Sequence, residues 1–158
     1  MSITRASEQL VTLGLMIEES RGRECYMTID ESPRTILNKA RDYMINPIQK
    51  VLYVEDEDEY RDYLLSGESA LSANSMLNVP AIQSRAVFKS KLSMDSITEV
   101  DVNWDDVKAP VRLELWKYDP ELFSVNGVVD PISLSLCYSD ETDERIEEAI
   151  EEYMEKNF

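Results

Sequence analysis

Residues 2–29 read SITRASEQLVTLGLMIEESRGRECYMTI, and their spacing decides how the first third of the chain folds. Ser2 is placed to cap a helix whose Ile3, Ala6, Leu10 and Leu13 share one apolar stripe, and Gly14 suits the left-handed conformation that ends a helix. Thr4, Arg5, Glu8 and Thr12 occupy the opposite face. Leu15 to Glu19 and Glu24 to Ile29 are two short extended runs around Ser20-Arg21-Gly22-Arg23, a glycine-containing turn that predicts a β-hairpin with two arginines at its tip. After Asp30, Ser32 before Pro33 is a cap followed by proline at the first helical position. Ile36, Leu37, Ala40, Tyr43 and Met44 then fall on one helical face, so this third element is expected to pack on the first two.

Outward from this stretch, Asn46-Pro47 marks a boundary, because the residue before a proline is pushed out of the helical region. The charge changes at nearly the same place. Residues 1–50 hold seven basic and seven acidic side chains, whereas 51–158 hold nine basic and twenty-five acidic ones and so carry the whole net charge of −16. Two parts are expected, 1–46 and 47–158.

The second part opens with a predicted strand, Lys50 to Glu55, and the acidic run Glu55-Asp56-Glu57-Asp58-Glu59, which solvates a helix start. Tyr60, Tyr63, Leu64 and Leu65 continue that helix until Ser66-Gly67 breaks it, and a further helix covers about 68–77. Extended runs follow at Arg85 to Lys89, Ile97 to Asn103 and Val111 to Tyr118, the last alternating Val111, Leu113 and Leu115 with Arg112, Glu114 and Trp116. Asp130-Pro131 repeats the cap-and-proline signal and predicts a short helix over 131–138, although Ile132, Leu134, Leu136 and Tyr138 alternate as a strand does. At the end, Ile146, Ala149, Ile150, Tyr153 and Met154 form a helical apolar stripe on an acidic segment. The expected fold is α+β: a helix, hairpin and helix, then a small mixed sheet flanked by helices.

Composition excludes much chemistry. The 158 residues are 43% hydrophobic, too apolar for wholesale disorder, and contain no histidine, which removes Ser-His-Asp and Cys-His nucleophiles and His-ligated metal sites. Cys25 and Cys137 stand far apart without a CxxC pair and read as reduced thiols, which suits a cytoplasmic protein. No leader pattern and no membrane-length apolar run is present. Asp101, Asp105 and Asp106 come nearest to a magnesium cluster, while Glu114 and Lys117 have the wrong spacing for a nuclease carboxylate–lysine pair. Gly67-Glu68-Ser69 lacks the second glycine of a nucleophile elbow, and the four glycines form no phosphate-binding loop. Trp104, Trp116, Tyr118 and Phe123, like the seven methionines, read as core more readily than as a ligand surface. No enzyme and no cofactor is expected.

Helix, hairpin with an arginine tip, then helix is the closing half of a winged helix-turn-helix, in which the helix enters the major groove and the wing approaches the backbone or minor groove. Residues 2–29 resemble the recognition helix and wing of MarR-like bacterial regulators, where a Ser/Thr-rich helix ending in Leu-Gly-Leu leads into a strand and a basic wing. The resemblance implies a DNA-binding regulator, with Ser2, Thr4, Arg5 and Glu8 facing the groove and Arg21 and Arg23 on the backbone. An exposed helix face and a solvated hairpin turn are the plain alternatives for the same residues. Met1 stands almost at the helix, without the two or more helices that precede it in that family. Either the reading frame starts upstream or the scaffold has been lost. The stretches LLSGESALSANSMLNVP (64–80) and DPISLSLCYSDETDERIEEAIEEYM (130–154) are similar to two-domain regulators with a GESALS-type second domain and, more distantly, to AbiEi-like antitoxins. The expected function is therefore duplex-DNA binding by a homodimer, since the stripe of Ile3, Ala6, Leu10 and Leu13 lacks intrachain cover. The alternative is an interaction protein, antitoxin-like, whose acidic second domain binds a basic protein partner.

Overall fold

The computed structural model describes residues 2–55, 58–93, 97–102 and 110–157, with the side chains of 58 and 59 left aside. The fold is mixed α+β, and the chain divides into two units, Met1–Met44 and Ile45–Asn157, beside the Asn46-Pro47 step.

The first unit is α1 (Ile3–Thr12), a hairpin of β1 (Ile17–Arg21) and β2 (Glu24–Thr28), then α2 (Pro33–Ala40) continued by a 3-10 turn at Arg41–Tyr43. Local chemistry accounts for each boundary. Ser2 Oγ accepts the Arg5 N–H at 3.4 Å, and Ser32 Oγ accepts the Thr35 N–H at 3.2 Å ahead of Pro33. At the end of α1, Gly14 takes φ +68° while its N–H donates to the Val11 carbonyl and Leu15 N–H to the Leu10 carbonyl, both at 2.9 Å, a Schellman stop. Arg21 pairs with Glu24, so the hairpin turn is the two residues Gly22-Arg23. Gly22 has φ +69° and Arg23 does not have positive φ, the pattern of a II′ turn that matches strand twist. Packing is sparse. Leu15 is the only buried residue described in this unit, and neither α1 nor α2 buries a side chain, so the expected packing of α2 on the other elements closes no core.

The second unit is organised on a four-stranded sheet in the order β3 (Ile48–Glu55), β6 (Pro110–Trp116), β5 (Gln83–Phe88), β4 (Leu64–Leu65). β6 is antiparallel to β3 and parallel to β5, and β4 is antiparallel to β5. Both faces are covered. Leu52, Val54, Val87, Val111, Leu113 and Leu115 form one face with Tyr60 of α3 (Asp58–Arg61). Ala86 and Trp116 form the other, beneath α4 (Gly67–Asn74), α5 (Pro131–Cys137) and α6 (Glu144–Glu155), which contribute Ala70, Leu71, Leu134, Ile146, Ala149 and Tyr153. Asp130 Oδ1 caps α5 through the Ser133 N–H at 2.8 Å, so the cap-and-proline signal prevails over the alternating pattern of 132–138.

Several expectations are corrected. The helix that opens at the acidic run stops at Arg61, and Leu64 and Leu65 are strand residues opposite Ala86 and Arg85. Residues 97–102 form no strand. They run past β3 with one backbone bond, Val100 N–H to the Tyr53 carbonyl at 2.8 Å, and a Lys50–Glu99 ion pair at 3.5 Å. No methionine among those described is buried, Met76 being 91% exposed, and Phe123 is exposed, whereas Trp116 is fully buried. Asn103, Trp104, Asp105 and Asp106 lie outside the described residues. Among the described residues, no helix is long and apolar enough to cross a membrane, and no three His, Cys, Asp or Glu side chains group as metal ligands.

Candidate functional site

The six residues singled out for DNA sit on two elements of the first unit. At 100° per residue, Thr4, Arg5 and Glu8 of α1 span an arc of about 100°, turned away from the stripe of Ile3, Ala6, Leu10 and Leu13. Ser2, Thr4, Arg5 and Glu8 are all exposed, and the Ser2 hydroxyl is engaged as the helix cap. Arg5 and Glu8 are brought together on the border of a shallow hollow of about 690 Å3, whose apolar wall is Leu10, Leu13 and Tyr43. On the hairpin the two arginines differ. Arg21 ends β1, donates to Glu19 Oε2 at 3.0 Å and lies 5.3 Å from the centroid of the Tyr26 ring. Arg23 occupies the turn itself and has no ion-pair partner among the described residues. The same hairpin carries Glu18, Glu19 and Glu24, so its face is not uniformly basic. Glu18 raises the Cys25 thiol above its ordinary pKa through a hydrogen bond, and Glu24 raises the Tyr26 hydroxyl in the same way.

A second constellation lies in the other unit, and the sequence reading missed it. Glu114, Arg112 and Trp116 share one face of β6, and Glu114 is 1% exposed. Its carboxylate is fully engaged. Oε2 accepts from Ser66 Oγ at 2.6 Å and from the Trp116 indole N–H at 3.2 Å, and Oε1 accepts from the Arg112 guanidinium. The chain turns from β4 into α4 directly over this carboxylate. The Ser66 N–H donates to the Ser84 carbonyl at 3.0 Å, and the Ser84 N–H to Ser69 Oγ at 2.9 Å. Gly67 stands at φ +53°, where a Cβ would lie 3.0 Å from the Ser84 side chain and 3.3 Å from Glu114 Oε1. Ser66 therefore offers no side-chain cap to α4, because its hydroxyl is committed to Glu114. Arg112 opens the cluster to a cleft of about 400 Å3 bordered by Tyr53, Glu68, Ile82 and Ser84.

This arrangement is chemically quiet. Both oxygens of Glu114 are engaged, its carboxylate holds the buried Ser66 hydroxyl at a sheet-to-helix corner, and Ser69 Oγ accepts the Ser84 N–H, so among the described residues Gly67-Glu68-Ser69 is tied into packing. Burial pushes the Cys137 thiol up to about 12, which leaves it protonated and unreactive. The signal that could have exposed the cluster was parity. Trp116 shares the face of Arg112 and Glu114, and a face holding a tryptophan in the middle of a sheet is not a solvated one. Comparison of the chain with protein families, with curated proteins and with solved structures finds no match.

Proposed function

We propose that the first unit is the closing half of a winged helix-turn-helix and that the protein is a MarR-like transcriptional regulator binding duplex DNA. The observation that supports this most is the pairing of an exposed polar face on α1, bearing Thr4, Arg5 and Glu8, with a II′ hairpin whose turn residue Arg23 is unpaired among the described residues. In this reading α1 lies in the major groove, Arg5 reads guanine through two hydrogen bonds, and Arg23 contacts phosphate. Arg21 contributes less, because a phosphate has to displace Glu19 from its guanidinium. The chain acts as a homodimer, and a second copy covers apolar side chains that the unit leaves in water: Ile3 is 88% exposed and Tyr43 61%. With the −16 charge opposing it, affinity is low and strongly salt-dependent.

The test is fluorescence anisotropy of a labelled random-sequence duplex titrated at several salt concentrations. Arg23→Ala should flatten the slope of log K against log salt by about 0.9 and Arg21→Ala by less, on all sequences alike. In a sequence-selection experiment Arg5→Ala should also relax base preference. No binding at low salt, or wild-type binding by Arg23→Ala and Arg5→Ala, refutes the reading. Light scattering that shows a monomer at high concentration refutes the homodimer.

A further inference from the structure

Outside the constellations already described, one surface of the second unit combines exposed apolar side chains with uncompensated charge. A trough of about 500 Å3 runs between α6 and the 75–80 segment. Met76 and Val79 stand on its lip, 91% and 76% exposed, over a floor that includes buried Ile146 and Ala149. Exposed apolar side chains on a loop usually ride on loose backbone, but this backbone is tied down. The Met76 N–H donates to Glu152 Oε2 at 3.3 Å, and Lys156 Nζ bridges Glu152 Oε1 at 2.9 Å and the Asn74 carbonyl at 2.6 Å. The backbone that carries Met76 is thereby held in place, so binding there need order only the side chain.

The charges of the trough complete the argument. Asp143 is taken by Arg145, whose Nε and terminal nitrogen donate to it at 3.1 and 2.6 Å, and Glu152 is taken by Lys156. Glu68, Glu141 and Glu148 remain on the walls without an ion-pair partner among the described residues. We propose that this trough docks a cationic amphipathic segment of a partner protein, with apolar side chains laid against Met76 and Val79 and lysines or arginines facing Glu68, Glu141 and Glu148. Three carboxylates without a cationic partner among the described residues, of which Glu141 accepts only the Thr142 and Asp143 N–H groups, repel nucleic acid and anionic membranes, and a lining this polar gives a small apolar ligand little to bury against. The proposal is independent of the DNA reading, which rests on the first unit alone.

The probe is a fluorescein-labelled helical peptide of about 18 residues, with leucines on one stripe and lysines on the other, titrated against the full chain and followed by anisotropy. Binding is expected, and it should weaken about tenfold or more in each of three cases. These are the variant Met76→Ser/Val79→Ser, the variant Glu68→Gln/Glu148→Gln, and a peptide whose leucines are replaced by serine. All four substituted side chains are exposed, so the variants should keep the parent circular dichroism spectrum. Failure of the leucine–lysine peptide to bind overturns the proposal. Equal binding by the serine peptide or by Met76→Ser/Val79→Ser also overturns it, since attraction would then be general to an acidic surface.

Discussion

Two glycine turns, Ser66-Gly67 and Gly22-Arg23, both adopt positive φ between polar neighbours, and they are built in opposite ways. At Gly67 the surrounding structure demands the glycine: Ser84 and Glu114 crowd the place a Cβ would take, and three serines and a buried carboxylate are hydrogen-bonded across the corner. At Gly22 nothing lies within 4 Å of that place, and the only demand is the local dihedral. The difference extends to the units that hold them. One is closed on both faces of a sheet, whereas the other, with Leu15 its sole buried residue among those described, leaves Ile3, Ile29 and Tyr43 largely in water. A unit with so little burial has its apolar surface still to be covered, at roughly 25 cal/mol for each Å2 removed from water.

The largest expected effect tests the closed unit. Glu114→Ala leaves Arg112, the Ser66 hydroxyl and the Trp116 indole N–H without their acceptor and should cost about 3–5 kcal/mol in urea unfolding followed by tryptophan fluorescence. Gly67→Ala combines left-handed strain with a 3.0 Å contact and should cost about 2–4 kcal/mol by the same measurement. Gly22→Ala meets the dihedral strain alone and should cost the hairpin about 1–2 kcal/mol, with the fluorescence transition of the second unit unmoved. If Gly22→Ala and Gly67→Ala shifted that transition alike, the contrast between the two turns would be lost.

A smaller effect follows from the thiols, one in each unit. Cys25 is exposed and Cys137 largely enclosed, so iodoacetamide should modify Cys25 in the native chain and Cys137 only after unfolding. The Cys137 thiol ionises near its ordinary value of 9 when unfolded but only at about 12 when folded. Its contribution to stability is therefore complete below pH 9 and is lost as pH rises from there toward 12. Tyr118, Tyr138 and Tyr153, raised chiefly by burial, act in the same direction. Cys137→Ala should flatten, without abolishing, the alkaline loss of stability measured by urea unfolding at successive pH values.

The sequence showed most where local chemistry decides the outcome. Ser2 begins a helix as a cap alone, Ser32-Pro33 and Asp130-Pro131 begin helices as a cap with a proline, all within one turn, and Gly14 and Gly22 mark the positive-φ positions that end a helix and turn a hairpin. It showed least where distant strands decide. Leu64-Leu65 became strand because β5 offers an edge to pair with, and residues 97–102 failed to become one although their composition suits a strand. Trp116 on the face of Glu114 was a sign of burial that spacing within β6 carries, but the Ser66 hydroxyl that holds the carboxylate arrives from the turn into α4, which that spacing does not reveal. The residues proposed to face DNA form a pattern on α1 and the hairpin that is visible in the spacing alone. The contact of Arg21 with Tyr26 was not legible, because it depends on cross-strand register, whereas its pair with Glu19 lies within β1.

The central claim is that a closed second unit carries stability while an open first unit carries recognition. Hydrogen exchange followed by mass spectrometry, with and without a random-sequence duplex at low salt, tests it directly. Free chain should exchange quickly over residues 17–28 and slowly over 66–71 and 111–116, and duplex should slow exchange in α1 and the hairpin while leaving the second unit unchanged. Equal protection of the two units in the free chain, or DNA-dependent protection confined to the second unit, would contradict it.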